Sequence, residues 1–221
     1  GRRRPDDLGG LSGVAALVAV VDRLRSPGGC PWDADQTHES LSRFAVEEAY
    51  ELADAIASGE RDALVDELGD VLFQVAFHAR LGQENERPFD IDAVADGIVA
   101  KLRRRHPHVF GDVDARTKEA IEANWDAIKA AEHPDRSSPL DGIPASFPPL
   151  ERAAKIAARY ARAGRLGELR AAAGDHAGAD PVGERLFALV VDAVEAGVDP
   201  GTELTRSLSR LEEHLREGER A

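Results

Sequence analysis

Residues 47–70 read EEAYELADAIASGERDALVDELGD, and two acidic signatures in this stretch decide the predicted fold. The first signature, EExxE, begins at residue 47, and the second, ExxD, begins at residue 67, with the letters SGE between them at 58–60. Residues three apart lie on one face of a helix, so each signature directs a pair of carboxylates to one side. Two such helices facing each other would form a cage of four carboxylates.

Helical geometry separates the acids of this stretch into candidate ligands and solvent-facing residues. Each residue of a helix is rotated by about 100° from the one before it. In both helices, this rotation places one pair of acids on the same side of the apolar stripe. In the second helix this stripe consists of six residues: Leu64, Leu68, Val71, Leu72, Val75 and Ala79. Glu47 and Asp66 point roughly 100° away from the pairs, toward solvent. The remaining four acids are the candidate ligands: Glu48, Glu51, Glu67 and Asp70.

Composition predicts an all-α fold. The chain has 221 residues, of which 43% are hydrophobic, and only two Tyr and two Trp occur. This length and apolar content suffice for a core, and strand-like alternation is hard to find. We expect one helix over about 12–25, two helices for the acidic stretch, the second running to about residue 81, and further helices from about residue 90 to Pro107 and over Thr117–Ala131.

The sequence also predicts where the protein works. No segment approaches the roughly 18 apolar residues of a membrane span, and no signal-peptide pattern opens the chain, so we expect a cytoplasmic protein without a membrane partner. The single cysteine, Cys30, excludes an internal disulfide and suits a reducing compartment. The chain contains no methionine, which suggests that Gly1 follows a processed or trimmed end.

The net charge of −13 argues against a general nucleic-acid binder, because phosphate contacts would need a basic surface. One basic run stands out against this background, at the end of a predicted helix: Lys101, Arg103, Arg104 and Arg105. Such runs are usually solvated, but in so acidic a chain this one is a candidate phosphate site. Trp125 and Lys129, four residues apart on a helix, could offer an aromatic plate and a cation together.

The loop CPWDADQTH at residues 30–38 allows two interpretations. It could be a structured turn in which Thr37 caps the following helix and Trp32 fills the core. Alternatively, Trp32 and Gln36 could line a pocket for a nucleobase. The residues of the loop alone leave both interpretations open.

The four candidate ligands predict the chemistry. Carboxylate oxygens without histidine or thiolate favour Mg²⁺, with Mn²⁺ as a possible substitute, over zinc. A helical di-iron site needs Glu-x-x-His on two helices, and neither Glu48 nor Glu67 has a histidine three residues later. Mg²⁺ usually shares its coordination with phosphates, so we expect a di- or triphosphate ligand and hydrolysis of a phosphoanhydride without a P-loop. The alternative is that these acids form ordinary solvated faces.

Five ordered motifs resemble those of the MazG nucleoside triphosphate pyrophosphohydrolases. They are GCPWDxxQT from residue 29, EExxE from 47, ELGD from 67, KLxRRHPHVF from 101 and WxxxK from 125. The resemblance implies an all-α helical bundle completed by dimerisation or higher homo-oligomerisation. It also implies Mg²⁺-dependent cleavage of (d)NTPs to monophosphate and pyrophosphate, and a housecleaning role in the nucleotide pool.

The same resemblance assigns roles to individual residues. The metal-binding and catalytic residues would be Glu48, Glu51, Glu67 and Asp70. The nucleotide-binding residues would be Lys101, Arg104, Arg105, Trp125 and Lys129, together with Trp32 and Gln36. Two alternatives remain: a nucleotide-sensing or partner-binding module without turnover, and a base-specific, dUTPase-like pyrophosphohydrolase.

The resemblance also suggests a domain organisation. Residues 1–11 would form a flexible arm, 12–132 a MazG-like catalytic domain, 133–149 a linker rich in proline and serine, and 150–221 a degenerate second MazG-like domain. Residues 182–187 echo residues 68–73 in their small and apolar positions, but Pro181 stands where Glu67 stood. We therefore expect only the first domain to be active, and the second to serve packing or oligomerisation.

Overall fold

The computed structural model describes residues 10–114, 117–175 and 181–220, with Asp175 described by its backbone alone. These ranges contain helices, turns and no strand, which confirms the predicted all-α class. Most of the predicted N-terminal arm, residues 1–9, lies outside the described residues.

The described ranges contain eleven helices. They are α1 (Gly13–Arg25), α2 (Pro31–Ala34), α3 (His38–Ser58), α4 (Arg61–Gly82), α5 (Ile91–Arg105), α6 (Pro107–Phe110), α7 (Lys118–Glu132), α8 (Pro149–Arg162), α9 (Leu166–Asp175), α10 (Pro181–Glu195) and α11 (Pro200–Glu219). The chain divides into two compact units, Gly1–Glu122 and Ala123–Ala221. The predicted organisation into a catalytic domain, a linker and a degenerate copy stays a prediction.

The acidic stretch lies in the hairpin of α3 and α4, and local sequence signals define both ends of α3. At its start, the Thr37 hydroxyl accepts a hydrogen bond from the Ser40 N–H at 3.2 Å, and the Ser40 hydroxyl accepts one from the Thr37 N–H at 2.9 Å. At its end, Gly59 has a φ of 72°, a left-handed conformation that glycine adopts without steric cost. Because α4 begins two residues later, the two helices run antiparallel.

The core of the first unit lies toward the open end of this hairpin. Five buried residues form it: Val21, Leu41, Ala76, Phe77 and Leu81. Full burial of a valine, leucine or phenylalanine side chain contributes about 1.5–3 kcal/mol. The contacts among α1, α3 and α4 therefore stabilise the hairpin. The acidic signatures lie nearer the Gly59 turn, outside this core.

The structure buries only part of the apolar stripe that helical periodicity indicates for α4. Of this stripe, Ala79 is buried, Leu64 and Val71 are half-buried, and Leu68, Leu72 and Val75 are exposed. The core of the first unit instead uses Ala76, Phe77 and Leu81, because α4 carries apolar residues on more than one face. The face that includes Leu68 is open to solvent in the single chain.

The second unit has a core of its own. Ala157 of α8, Leu169 of α9 and Val191 of α10 form its buried cluster. α11 packs on α8 and α10 through part of its length. Among the described residues, no helix combines the length and apolar character needed to cross a membrane.

Candidate metal centre

The α3–α4 hairpin brings three of the predicted ligands together. Glu48 of α3 and Glu67 and Asp70 of α4 each place a carboxylate oxygen within 4.8 Å of the other two. Glu48 and Glu67 are half-buried, and Asp70 is exposed. Within the described ranges, none of the three forms an ion pair with a lysine or arginine. The cluster is therefore a concentration of negative charge without a protein counter-charge.

The proximity of these acids raises the pKa of two of them. Partial burial raises the pKa of Glu48, and the negative charges of Asp70, Glu51 and Glu67, with a side-chain hydrogen bond to Glu51, raise it further. Partial burial also raises the pKa of Glu67, and the charges of Glu51, Asp70 and Asp66 add to this shift. Glu51 thus lies near the cluster, although it is outside the group of three oxygens within 4.8 Å.

A buried oxygen of Glu67 provides a test of whether the site fits a cation. Glu67 Oε2 is buried and has no hydrogen-bond partner within the described part of the chain. Leaving a buried acceptor unsatisfied is unfavourable, and more so for a charged group. A divalent cation would satisfy this oxygen and remove the repulsion among the carboxylates. The donors are all hard oxygens, which fit Mg²⁺ or Mn²⁺ better than zinc.

The structure resolves part of the ambiguity in the loop before α3. Trp32 lies in α2 and is 53% exposed, so it does not fill the core. Its ring contacts Phe44 of α3 at a centroid distance of 6.1 Å and an interplanar angle of 68°. Because Phe44 precedes Glu48 by about one helical turn, Trp32 packs against the helix that carries Glu48, and its ring is largely exposed.

Gln36, predicted together with Trp32, takes part in the structure of the loop. Its Nε2 donates to the Trp32 carbonyl at 2.8 Å, and its Oε1 accepts from the Ser40 hydroxyl at 2.8 Å. The carboxamide therefore ties the Trp32 backbone to the start of α3. Thr37 caps α3 as the structured-turn interpretation expected, whereas a pocket for a nucleobase at Trp32 and Gln36 stays a prediction.

The predicted phosphate-binding cations lie on two helices. Lys101 and Arg104 at the end of α5 are exposed, and Arg105 is half-buried. α5 packs on α4, the helix that carries Glu67 and Asp70. Trp125 and Lys129 of α7 belong to the second unit, where the Lys129 ammonium lies 4.4 Å from the centroid of the Trp125 ring. Their role in phosphate or base binding stays a prediction.

Sequence reasoning did not identify a pair of histidines near the hairpin. His38 Nδ1 and His78 Nδ1 are 2.8 Å apart, and the two rings stack with an interplanar angle of 6°. Forty residues separate them in the sequence, and no local pattern indicates such a contact. Phe44, which supports Trp32, was missed for the same reason.

The fold and the cluster together define the class of protein: an all-α protein whose described residues include a cluster of three carboxylates that could hold a metal ion. Residues 36–110 match the model of the MazG nucleotide pyrophosphohydrolase domain. The chain is 38% identical over 233 residues to the nucleoside triphosphate pyrophosphohydrolase of Escherichia coli (strain K12), covering 95% of this chain and 88% of that protein.

Two further relatives show similar coverage. The nucleoside triphosphate pyrophosphohydrolase/pyrophosphatase MazG of Thermotoga maritima is 35% identical over 219 residues, covering 92% of this chain and 84% of that protein. An uncharacterized 26.1 kDa protein of Streptomyces cacaoi is 44% identical over 204 residues, with coverage of 92% and 81%. The chain belongs to the MazG family.

Proposed function

We propose that this protein hydrolyses nucleoside triphosphates to nucleoside monophosphate and pyrophosphate with Mg²⁺ bound at the carboxylate cluster. The observation that carries this proposal is the meeting of Glu48, Glu67 and Asp70 around a buried oxygen that has no donor among the described residues. Family membership supports the reaction, because the relatives from Escherichia coli and Thermotoga maritima bear the name nucleoside triphosphate pyrophosphohydrolase.

The proposed ligands are Glu48, Glu51, Glu67 and Asp70, with Mn²⁺ as a possible substitute for Mg²⁺. When bound, the ion supplies charge neutralisation for the phosphates and polarises a water molecule. Glu48, Glu67 and Asp70 each place an oxygen within 4.8 Å of the other two, a separation that one cation could span. Glu51, whose charge already acts on Glu48 and Glu67, supplies the fourth carboxylate.

Other side chains bind the substrate. The proposed phosphate-binding residues are Lys101, Arg104, Arg105 and Lys129. Trp125, Trp32 and Gln36 form the proposed nucleoside-binding set. Trp32 is exposed, and its ring contacts Phe44, which precedes Glu48 by about one helical turn. This position supports the inclusion of Trp32 in the nucleoside-binding set.

We further propose that the protein is a homodimer. α5 contains no buried residue in the single chain, and its apolar residues Ile98 and Leu102 are 46% and 45% exposed. The uncovered face of α4, which includes Leu68, adds to this apolar surface. A 15-residue helix whose apolar side remains in water gains little stability, so we propose that a second copy of the chain covers this side.

The proposed setting is the cytoplasmic nucleotide pool, where the enzyme would remove unwanted nucleotides.

The proposal is tested by measuring pyrophosphate and orthophosphate release from a panel of (d)NTPs with and without Mg²⁺. We expect Mg²⁺-dependent, stoichiometric pyrophosphate and monophosphate from several bases. Orthophosphate as the sole inorganic product would contradict the reaction. Binding without product would indicate a sensing module, and turnover of a single base would indicate a dUTPase-like enzyme.

A further inference from the structure

The helix that carries Trp32 depends on contacts from outside itself. α2 has only four residues, Pro31–Ala34, and so short a helix has no stability of its own in water. The carbonyl groups at the end of a helix lack partners within it and carry partial negative charge. The position of Trp32 therefore depends on whatever satisfies these carbonyls.

One arginine satisfies them. The Arg25 Nη1 donates to the carbonyl oxygens of Asp33 at 2.7 Å, Ala34 at 3.1 Å and Gln36 at 3.1 Å. Arg25 is the last residue of α1, so its side chain ties the Trp32 turn to that helix, together with the hydrogen bond from the Cys30 N–H to the Leu24 carbonyl at 2.7 Å. Its side chain is 10% exposed, which shields these bonds from competing water.

Arg25 is itself fixed on its opposite edge. Its Nε and Nη2 donate to the two carboxylate oxygens of Glu84 at 2.8 and 2.9 Å. The hydrogen bond from Arg25 holds the pKa of Glu84 below its ordinary value, so this carboxylate stays charged at neutral pH. Glu84 also accepts from Arg80 Nη1 at 2.7 Å, and Arg80 Nε donates to Asp22 at 2.7 Å.

Only an arginine makes this set of bonds. A guanidinium presents donors on two edges of one plane, so one edge meets Glu84 while the other meets the carbonyls. A lysine ammonium is a point charge and cannot serve both edges at these distances. Because Trp32 also contacts Phe44, one turn before Glu48, this arrangement fixes the tryptophan relative to the carboxylate cluster.

We propose that Arg25, anchored by Glu84, is a positioning residue that holds Trp32 as a stacking surface for the nucleobase. The proposal rests on the proposed function, since it assumes a nucleoside triphosphate with its phosphates at the carboxylates. The guanidinium nitrogens of Arg25 all bond to the loop carbonyls or to Glu84, and its side chain is 10% exposed, so its effect on binding passes through Trp32. Base stacking on an aromatic side chain is worth roughly five- to 150-fold in affinity.

The test compares a ligand that has a base with one that lacks it. In Arg25→Lys we expect KM for NTPs to rise about fivefold or more while kcat changes less than about twofold. Inhibition by inorganic tripolyphosphate, which has no base, should keep its wild-type constant. Arg23→Lys is the matched control, because Arg23 lies on the same helix and its hydrogen bonds among the described residues go to the Pro27 and Gly28 carbonyls, and it should leave KM unchanged.

A double-mutant cycle separates positioning from general destabilisation. If Arg25 acts through Trp32, Arg25→Lys should raise KM in the wild-type background but have little further effect in Trp32→Ala. Glu84→Gln weakens the ion pair with Arg25 but keeps the arginine, and it should also raise KM. This variant provides the test if Arg25→Lys fails to fold.

Three results would overturn the proposal. The first is weaker tripolyphosphate inhibition that parallels the rise in KM, and the second is the same rise in KM in the Trp32→Ala background. The third is an unchanged KM in both Arg25→Lys and Glu84→Gln. Wild-type protein that releases no pyrophosphate from any nucleotide would instead refute the proposed function, so the two failures are distinguishable.

Discussion

Glu67 combines a buried oxygen that lacks a donor among the described residues with a pKa raised by burial and by neighbouring carboxylates. An acid whose pKa is higher in the folded state contributes stability at low pH, and loses it as pH rises through the folded pKa. At neutral pH without metal, the charged cluster therefore destabilises the fold. A bound divalent cation stabilises the protein by mass action.

A first prediction concerns Glu67→Gln. Without divalent ions at pH 7, the variant should unfold at a higher temperature than wild type, because one repelling charge is gone. Added Mg²⁺ should raise the wild-type midpoint and leave the variant nearly unchanged, and activity should fall about 100-fold or more. Asp54→Asn is the matched control, since it removes one charge from an exposed position of the neighbouring helix α3, and its response to Mg²⁺ should equal that of wild type. A wild-type midpoint that ignores Mg²⁺ would contradict the metal site.

A second prediction concerns the His38–His78 pair. Burial, and secondarily the charge of His38, lowers the pKa of His78 below its ordinary value of about 6.5. At pH values below about 6.5, the unfolded chain therefore binds protons at His78 more readily than the folded chain does. The stability that depends on neutral His78 is fully present above about pH 6.5 and is lost as pH falls through the folded pKa.

Urea denaturation between pH 5 and 8 measures this effect. Wild type should lose stability toward pH 5 more steeply than His78→Gln, because the glutamine does not titrate. His214→Gln, at an exposed position of α11, should retain the wild-type slope. Equal slopes for wild type and His78→Gln would show that the pair does not titrate as proposed.

At the scale of elements, the α3–α4 hairpin depends on the glycine between its helices. Gly59 has a φ of 72°, and a side chain in the left-handed conformation costs about 1–2 kcal/mol. Gly59→Ala should therefore lower the free energy of unfolding by about that amount. Gly69→Ala is the matched control inside α4, where an added Cβ meets nothing within 4 Å and alanine should stabilise the helix by up to about 1 kcal/mol. Urea denaturation of both variants checks the prediction.

The helices could be predicted because their signals are local. Thr37 and Gly59 mark the ends of α3, and Asp90 caps α5 by accepting a hydrogen bond from the Ala93 N–H at 2.9 Å. Four acids could be selected as candidate ligands because spacing along a helix fixes direction. The structure brings three of them together within 4.8 Å.

Contacts between distant residues could not be predicted in this way. Arg25 binds Glu84, which lies 59 residues further along the chain. Its bonds to the Trp32 turn go to backbone carbonyls, which every residue has, so no residue type in the sequence indicates them. The buried residues of α4 were predicted only in part: Ala79 is buried, but Leu68 and Val75 are exposed, because periodicity alone does not show which of several apolar faces packs against a neighbour. Which residues of a helix meet its neighbours is a property of packing.

At the scale of the whole molecule, the exposed apolar faces of α4 and α5 predict self-association. Sedimentation velocity should give the mass of a dimer for wild type and a shift toward the monomer for Ile98→Glu, because a charge at the centre of this face is costly to bury. Asp96→Asn removes a charge at an exposed position two residues from Ile98, on the opposite side of α5, and should remain dimeric. A monomeric wild type would contradict the proposal.

We propose that the cluster of Glu48, Glu67 and Asp70 supports cleavage of the bond between the α and β phosphates. This reaction can be followed directly by ³¹P NMR spectra of a nucleoside triphosphate with Mg²⁺ and either wild-type protein or Glu67→Gln. We expect equimolar monophosphate and pyrophosphate signals with wild type, and no turnover with the variant on the same time scale. Diphosphate and orthophosphate signals, or equal rates for the two proteins, would contradict it.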